Sequence, residues 1–301
     1  MYLEHFGLSE PPFSLTPNTG FFVDLPGHQE ALNVLLVALG SGEGFIKITG
    51  EVGTGKTLLC RRLLEMLGDD FVTAYLPNPL LNPRQLHQAL LAELGETAPR
   101  GTALPDLLGR LNSRLMELQL AGRTVVVLID EAQAAPTETL EALRLLSNLE
   151  TTRRKLLQIV LFGQPELDAR LQRPELRQLR QRITFSYCLA PLQRGEVGDY
   201  IRRRLQLAGA PTALFTPAAL ALVHRASDGI PRLVNILCHK GLLAAYGHGD
   251  RQVGRGRVRE AVADTEDAAD RLRAPFWPWF ASGLVLLLIL LGAYIRQGAL
   301  A

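Results

Sequence analysis

Five short aliphatic or β-branched runs, at 45–49, 71–76, 124–129, 156–162 and 183–190, alternate with longer stretches whose apolar residues recur at helical spacing. The run at 124–129, TVVVLI, is almost continuous in such residues and predicts a strand buried on both faces of a parallel sheet. Helices are expected at 31–39, 58–67, 83–94, 106–121 and 137–149. This alternation needs crossover helices packed on a parallel sheet, so an α/β domain is predicted over 45–190. After Pro191 the pattern changes. Helical spacing continues at 196–207, 217–226, 231–246 and 258–263 with no strand between, which predicts a small helical domain over 191–265. Residues 1–44 carry Pro11, Pro12, Pro17 and Pro26 among scattered aromatics and form a separate N-terminal segment.

The C-terminal end breaks the pattern again. Residues 276–295, FWPWFASGLVLLLILLGAYI, are twenty without a charge, and they explain a mean hydropathy of +0.10 in a chain this rich in charge. A helix rising ~1.5 Å per residue crosses the hydrocarbon core in ~20 such residues. Trp277, Trp279 and Tyr294 stand near the ends, at headgroup level. Pro278 would suit a buried core helix too, but a core helix of this length usually carries polar positions. One transmembrane helix is therefore expected at 275–296, after a polar linker at 266–274 and before a short tail at 297–301. Arg271 and Arg273, with Arg251, Arg255, Arg257 and Arg259 upstream, put the large N-terminal part on the cytoplasmic side. The opening MYLEHFGLSEPPF has neither region of a signal peptide.

Composition adds exclusions. At 301 residues, 47% hydrophobic and 21% charged, the chain can bury a sizeable core, so it is neither disordered nor fibrous. A formal net charge of +2 supplies no global pull toward nucleic acid. Cys60, Cys188 and Cys238 show no CxxC spacing, which suggests a reduced compartment without a disulfide framework. The six histidines show no ligand spacing and read as structural or exposed.

The chemistry begins after the first strand. Gly50-Glu51-Val52-Gly53-Thr54-Gly55-Lys56-Thr57 is a full GxxxxGK[ST] phosphate loop in the strand–loop–helix setting it requires. Its glycines let backbone N–H groups turn toward phosphate oxygens, and the helix N-terminus adds partial positive charge. Lys56 would bridge the β- and γ-phosphates, Thr57 would ligate Mg²⁺, and Leu58 follows as part of the same nucleotide-binding run. The strand 124–129 ends in Asp130-Glu131, with Asp130 placed to hold the metal through water and Glu131 to polarise the attacking water as general base.

Three further positions stay open. Gln164, after the strand 156–162, could sense the γ-phosphate or be an ordinary turn residue. One of Arg177, Arg180 and Arg182 could stabilise transition-state charge on a neighbouring subunit's nucleotide. Arg232, in Gly229-Ile230-Pro231-Arg232, starts a helix and can be aimed at the phosphates.

At these residues the sequence resembles AAA+ ATPases, and more narrowly the group of general-secretion-pathway protein A (ExeA type) and the pilus biogenesis ATPase MshM. The opening Met1 to Leu8 with Pro12-Phe13 and Thr16-Pro17, the phosphate loop, Asp130-Glu131-Ala132-Gln133, Gly163-Gln164-Pro165-Glu166-Leu167, Gln181-Arg182-Ile183 and Gly229 to Asn235 carry it in order, over about residues 1–262. The resemblance implies an AAA+ fold with a helical lid, ATP and Mg²⁺ as ligands, and Arg232 as sensor-2 arginine. It implies Arg182 as the trans-acting finger, and hence a ring or other homo-oligomer. It also implies service to inner-membrane components of a pilus or secretion machine, at the bacterial inner membrane. Leu58 stands where relatives commonly have a second threonine; Thr57 alone can serve the metal. A DNA-binding regulator of transposition shares this core, and Arg202-Arg203-Arg204 with the run Arg251, Arg255, Arg257 and Arg259 would suit it. The membrane span is what separates the two readings.

Overall fold

A computed structural model describes residues 1–16, 18–99, 101–150 and 155–272. Its centre is a five-stranded sheet in which every pairing is parallel: β1 (Phe45–Gly50), β2 (Phe71–Leu76), β3 (Thr124–Ile129), β4 (Leu157–Gly163) and β5 (Ile183–Leu189), in the order β2-β3-β4-β1-β5. Inserting β4 between β1 and β3 brings three C-terminal strand ends side by side. Thr49 lies level with Gly163, and Ile129 with Leu161. Ligands in open α/β sheets bind outside such ends.

Alternation along the strands builds two cores. On one face Val125, Val127, Ile129, Leu157, Ile159 and Leu161 meet helices α4 (Pro83–Glu93), α5 (Leu104–Leu120) and α6 (Thr137–Leu146). On the other, Val126, Leu128, Val160, Phe162, Ile46 and Ile48 meet α2 (Pro26–Gly40) and α3 (Lys56–Met66). Helix starts follow local chemistry. Asn82 and Gln85 cap α4 reciprocally at 2.9 Å each way, with Pro83 in the first turn, where a missing N–H costs nothing. Two short helices after β4, α7 (Pro165–Leu171) and α8 (Arg177–Arg182), lie in a stretch given no element by hydrophobic spacing; each is shorter than two and a half turns.

The lid comprises α9 (Arg194–Leu207), α10 (Pro217–Ser227), α11 (Pro231–Gly247), α12 (Arg255–Ala263) and α13 (Glu266–Leu272). Two boundaries differ from the sequence expectation. The N-terminal segment is not one unit: α1 (Tyr2–Phe6) and the stretch through Leu25 bury Phe6, Leu8, Phe13, Phe21, Val23 and Leu25 in the lid core with Val197, Ile201, Leu237 and Val258, whereas α2 packs on the sheet. Each such side chain contributes roughly 1.5–3 kcal/mol on burial, so the chain start is part of the lid's stability. The expected linker at 266–274 is helical through 272 and packs on the lid, because Ala268 gives its polar sequence an apolar face that is fully buried. The expected span at 275–296 and tail at 297–301 lie outside the described residues; among those described, no helix is long and apolar enough to cross a membrane.

Candidate nucleotide site

The phosphate loop leaves β1 at Gly50 and enters α3 at Lys56. Gly53 and Gly55 have φ of 83° and 101°, a region where other residues are strained, and the helix starts without a side-chain cap. Its first N–H groups thus remain free for an anion. Lys56 is buried, and its Nζ donates to the carbonyls of Gly50 at 2.7 Å and Glu51 at 2.9 Å. Burial pulls its pKa below the ordinary lysine value, while the carboxylates of Glu131, Asp130, Glu51 and Glu166 favour its charged form.

Thr57 and Asp130 meet across the site. The threonine hydroxyl donates to Asp130 Oδ2 at 2.7 Å, and the Glu131 N–H donates to Asp130 Oδ1 at 2.9 Å. A hydroxyl and a buried carboxylate side by side, at the mouth of a phosphate loop, are the oxygen donors that Mg²⁺ takes together with nucleotide phosphates and water. The residues fit the ion. Tyr75 stands beside the pair on β2; burial first, then the neighbouring Cys60 and Asp130, push its phenol up to about 12.

Glu131 adopts the left-handed backbone region at φ 51°, which turns its side chain away from the strand line. It borders a cavity of about 310 Å³ together with Val52, Gly53, Gly55, Lys56, Thr57, Leu58 and Arg232. Its Oε2 accepts from Gln133 Nε2 at 2.6 Å and from Gln164 Nε2 at 2.9 Å. Gln164 therefore reaches the acid, from the strand between the two motif strands. Arg232 arrives from the lid, at the start of α11, with its backbone N–H on Gly53 O at 3.2 Å.

Arg182 is placed apart. It precedes β5, whose Ile183 is level with Phe45, so it sits at the N-terminal end of the strands, opposite the end where the phosphate loop leaves β1. With ~3.3 Å per strand residue it lies roughly 16 Å below Gly50. Its Nη1 donates to Ser147 Oγ at 2.8 Å, while Arg177 and Arg180 are exposed.

Two contributors escaped the sequence. His28, a residue with no ligand spacing, is buried against the loop: its Nε2 donates to the Thr54 carbonyl at 3.1 Å and a Cβ on Gly55 would stand 2.9 Å from it. Gln133 lies beside the acidic pair, and that adjacency was the available signal. The arginine run 202–204 is not a free basic face: Arg204 is buried and Arg202 pairs with Asp199. Downstream, Arg257 pairs with Asp250 and Glu260 at 2.7 and 2.6 Å, and Arg251 donates to the His5 carbonyl at 3.0 Å.

The strand order, the phosphate loop and the acidic pair are those of a P-loop nucleotide-binding α/β domain, and residues 39–171 match the family model described as "AAA domain". Within that class the chain is similar to general secretion pathway protein A of Aeromonas hydrophila, 45% identical over 270 residues, or 90% of this chain. It spans 49%, about half, of that protein's length. Among solved structures, CDC6P from Pyrobaculum aerophilum is similar with a TM-score of 0.68 at 19% identity, over 84% of this chain and 70% of that one. The ORC2 protein of Aeropyrum pernix follows at 0.62 and 18%, over 83% and 72%. At these identities the likeness is one of fold.

Proposed function

We propose that this chain hydrolyses ATP as a membrane-anchored homo-oligomer that supports assembly of a type IV pilus or a type II secretion envelope machine. The carrying observation is the Glu131 carboxylate at the cavity that Lys56, Thr57 and Arg232 share. Lys56 would hold the β- and γ-phosphates and Arg232 would report nucleotide occupancy to the lid. A water oxygen attacks the γ-phosphorus, its proton passes to Glu131, and the β–γ bond breaks with its electron pair going to the ADP oxygen. Bound Mg²⁺, held by Thr57 and through water by Asp130, would neutralise charge on the phosphate oxygens.

Arg182 lies at the N-terminal end of the strands and bonds Ser147, away from the phosphate loop of its own chain, which supports a finger acting on a neighbouring subunit; the exposed Arg177 and Arg180 on the same helix are the competing choices. The secretion role draws on the similarity to general secretion pathway protein A and on the uncharged segment at 276–295, which would anchor the ATPase part on the cytoplasmic side of a bacterial inner membrane.

One comparison tests the reading. Glu131→Gln should retain ATP binding and lose turnover by about 10²–10⁴-fold. Pull-downs of wild type and this variant from detergent-solubilised membranes should recover pilus or secretion inner-membrane components. Recovery of DNA or a transposase would favour the transposition reading instead. Truncation after Ala274 should release the protein from membranes; sedimentation with them would refute the anchor.

A further inference from the structure

Among the described residues the Gln133 side chain makes two hydrogen bonds, and both end on residues of the proposed hydrolytic apparatus. Its Nε2 donates to Glu131 Oε2 at 2.6 Å, and its Oε1 accepts from the backbone N–H of Gln164 at 3.0 Å. Gln164 closes the loop by donating its own Nε2 to the same Glu131 oxygen at 2.9 Å. The residue is held in turn: it stands on the 3-10 turn Ala132–Ala134, and its backbone carbonyl accepts from the Arg170 guanidinium. Both donors reach Oε2, and no hydrogen bond among the described residues engages Oε1.

We propose that Gln133 is a positioning residue that fixes the Glu131 carboxylate by one oxygen and leaves the other facing the cavity to take the proton from water. The inference rests on reading Glu131 as the general base. A neutral amide suits the task. A cation at the same distance would form an ion pair and weaken the carboxylate as a proton acceptor, whereas an amide orients it without compensating its charge. A second amide from Gln164 reaches the same oxygen from a different strand, so two elements with separate anchors define one carboxylate plane.

The test uses the full chain with Gln133→Ala and Gln133→Glu. The second variant keeps an oxygen for the Gln164 N–H and lacks the donor to Glu131, so it separates positioning from support of the turn after β4. Both should lower kcat for ATP hydrolysis about ten- to hundredfold, with KM for ATP and the affinity for a fluorescent non-hydrolysable ATP analogue at wild-type values. Combining Gln133→Ala with Gln164→Ala should cost less than the product of the single losses, because both amides act on one oxygen. Wild-type kcat in Gln133→Glu, or a change confined to KM, would overturn the proposal. Glu131→Gln measured in parallel tells the two readings apart. If it keeps turnover, the base assignment itself is wrong; if it is inactive while Gln133→Glu is fully active, only the role of Gln133 fails.

Discussion

The backbone N–H of Arg232 donates to the carbonyl of Gly53 at 3.2 Å, so the lid helix α11 begins directly on the phosphate loop. A Cβ at Gly53 would stand 2.6 Å from Arg232 Cβ and 3.2 Å from Ile230 Cγ2, and its φ of 83° admits little but glycine. This contact ties the position of the loop to the start of the lid.

Gly53→Ala should break this seat. Strain from the left-handed backbone costs about 1–3 kcal/mol, and the clash with α11 adds to it. We expect a lower midpoint in thermal unfolding and a loss of nucleotide affinity greater than any fall in kcat at saturation. A variant that binds ATP as wild type does would show that the lid does not depend on this contact.

Arg204 joins the first residues of the chain to the lid. It is buried, donates to the Pro12 carbonyl at 2.6 Å and to the Tyr200 hydroxyl at 2.7 Å, and lies 5.1 Å from the Phe21 ring centre. Tyr200 passes the chain of bonds to Asn235 at 3.0 Å. Removing the guanidinium leaves a carbonyl and a hydroxyl unsatisfied in the core, so Arg204→Ala should cost about 3 kcal/mol or more. Limited proteolysis should then cut first within residues 1–25. A single cooperative transition with unchanged cleavage sites would argue that the hydrophobic anchors alone hold the segment.

The local parts of this molecule were legible and the distant pairings were not. β2 and β3 fall where the aliphatic runs put them, and the phosphate loop with Asp130-Glu131 could be read because its residues are close in sequence and each backbone demand has a residue signature. By contrast, nothing in Phe13 or Phe21 says that their partners are nearly two hundred residues later, around Ile201 and Val223. Arg204 looked like one of three consecutive cations; only tertiary packing tells that the neighbours face water while it does not. His28 shows the same limit, since its partner is a backbone carbonyl and carbonyls leave no mark on sequence.

The Thr57–Asp130 contact at 2.7 Å gives a test of metal use. Asp130→Asn keeps the volume and an oxygen for the Thr57 hydroxyl but removes the charge. Turnover should then require a higher Mg²⁺ concentration, read as a rightward shift in a Mg²⁺ titration at saturating ATP, and chelation should stop turnover in the wild type. An unshifted titration would mean that Asp130 serves packing and not the ion.

His28 gives the phosphate loop a pH dependence. Burial lowers its pKa from the ordinary 6.5, outweighing the Thr54 carbonyl and the more distant Glu196 and Asp24, all of which favour the charged ring. Phe22 stands edge-on at 5.8 Å and offers no compensation for a charge. The unfolded chain therefore takes up a proton at a pH where the folded chain does not. Stability is full above the unfolded value and falls as pH drops through it toward the folded one. Burial lowers His87 and His239 as well, so they act in the same direction. His28→Gln keeps an N–H for Thr54 and cannot titrate. Its unfolding midpoint should fall less than that of the wild type between about pH 7 and pH 5, with the residual slope left by the other two histidines. Nucleotide affinity should follow, since the Thr54 carbonyl belongs to the loop that binds phosphate. Parallel curves for the two proteins would show that His28 takes up its proton as readily in the folded chain as in the unfolded one, so that the loop tolerates its charge.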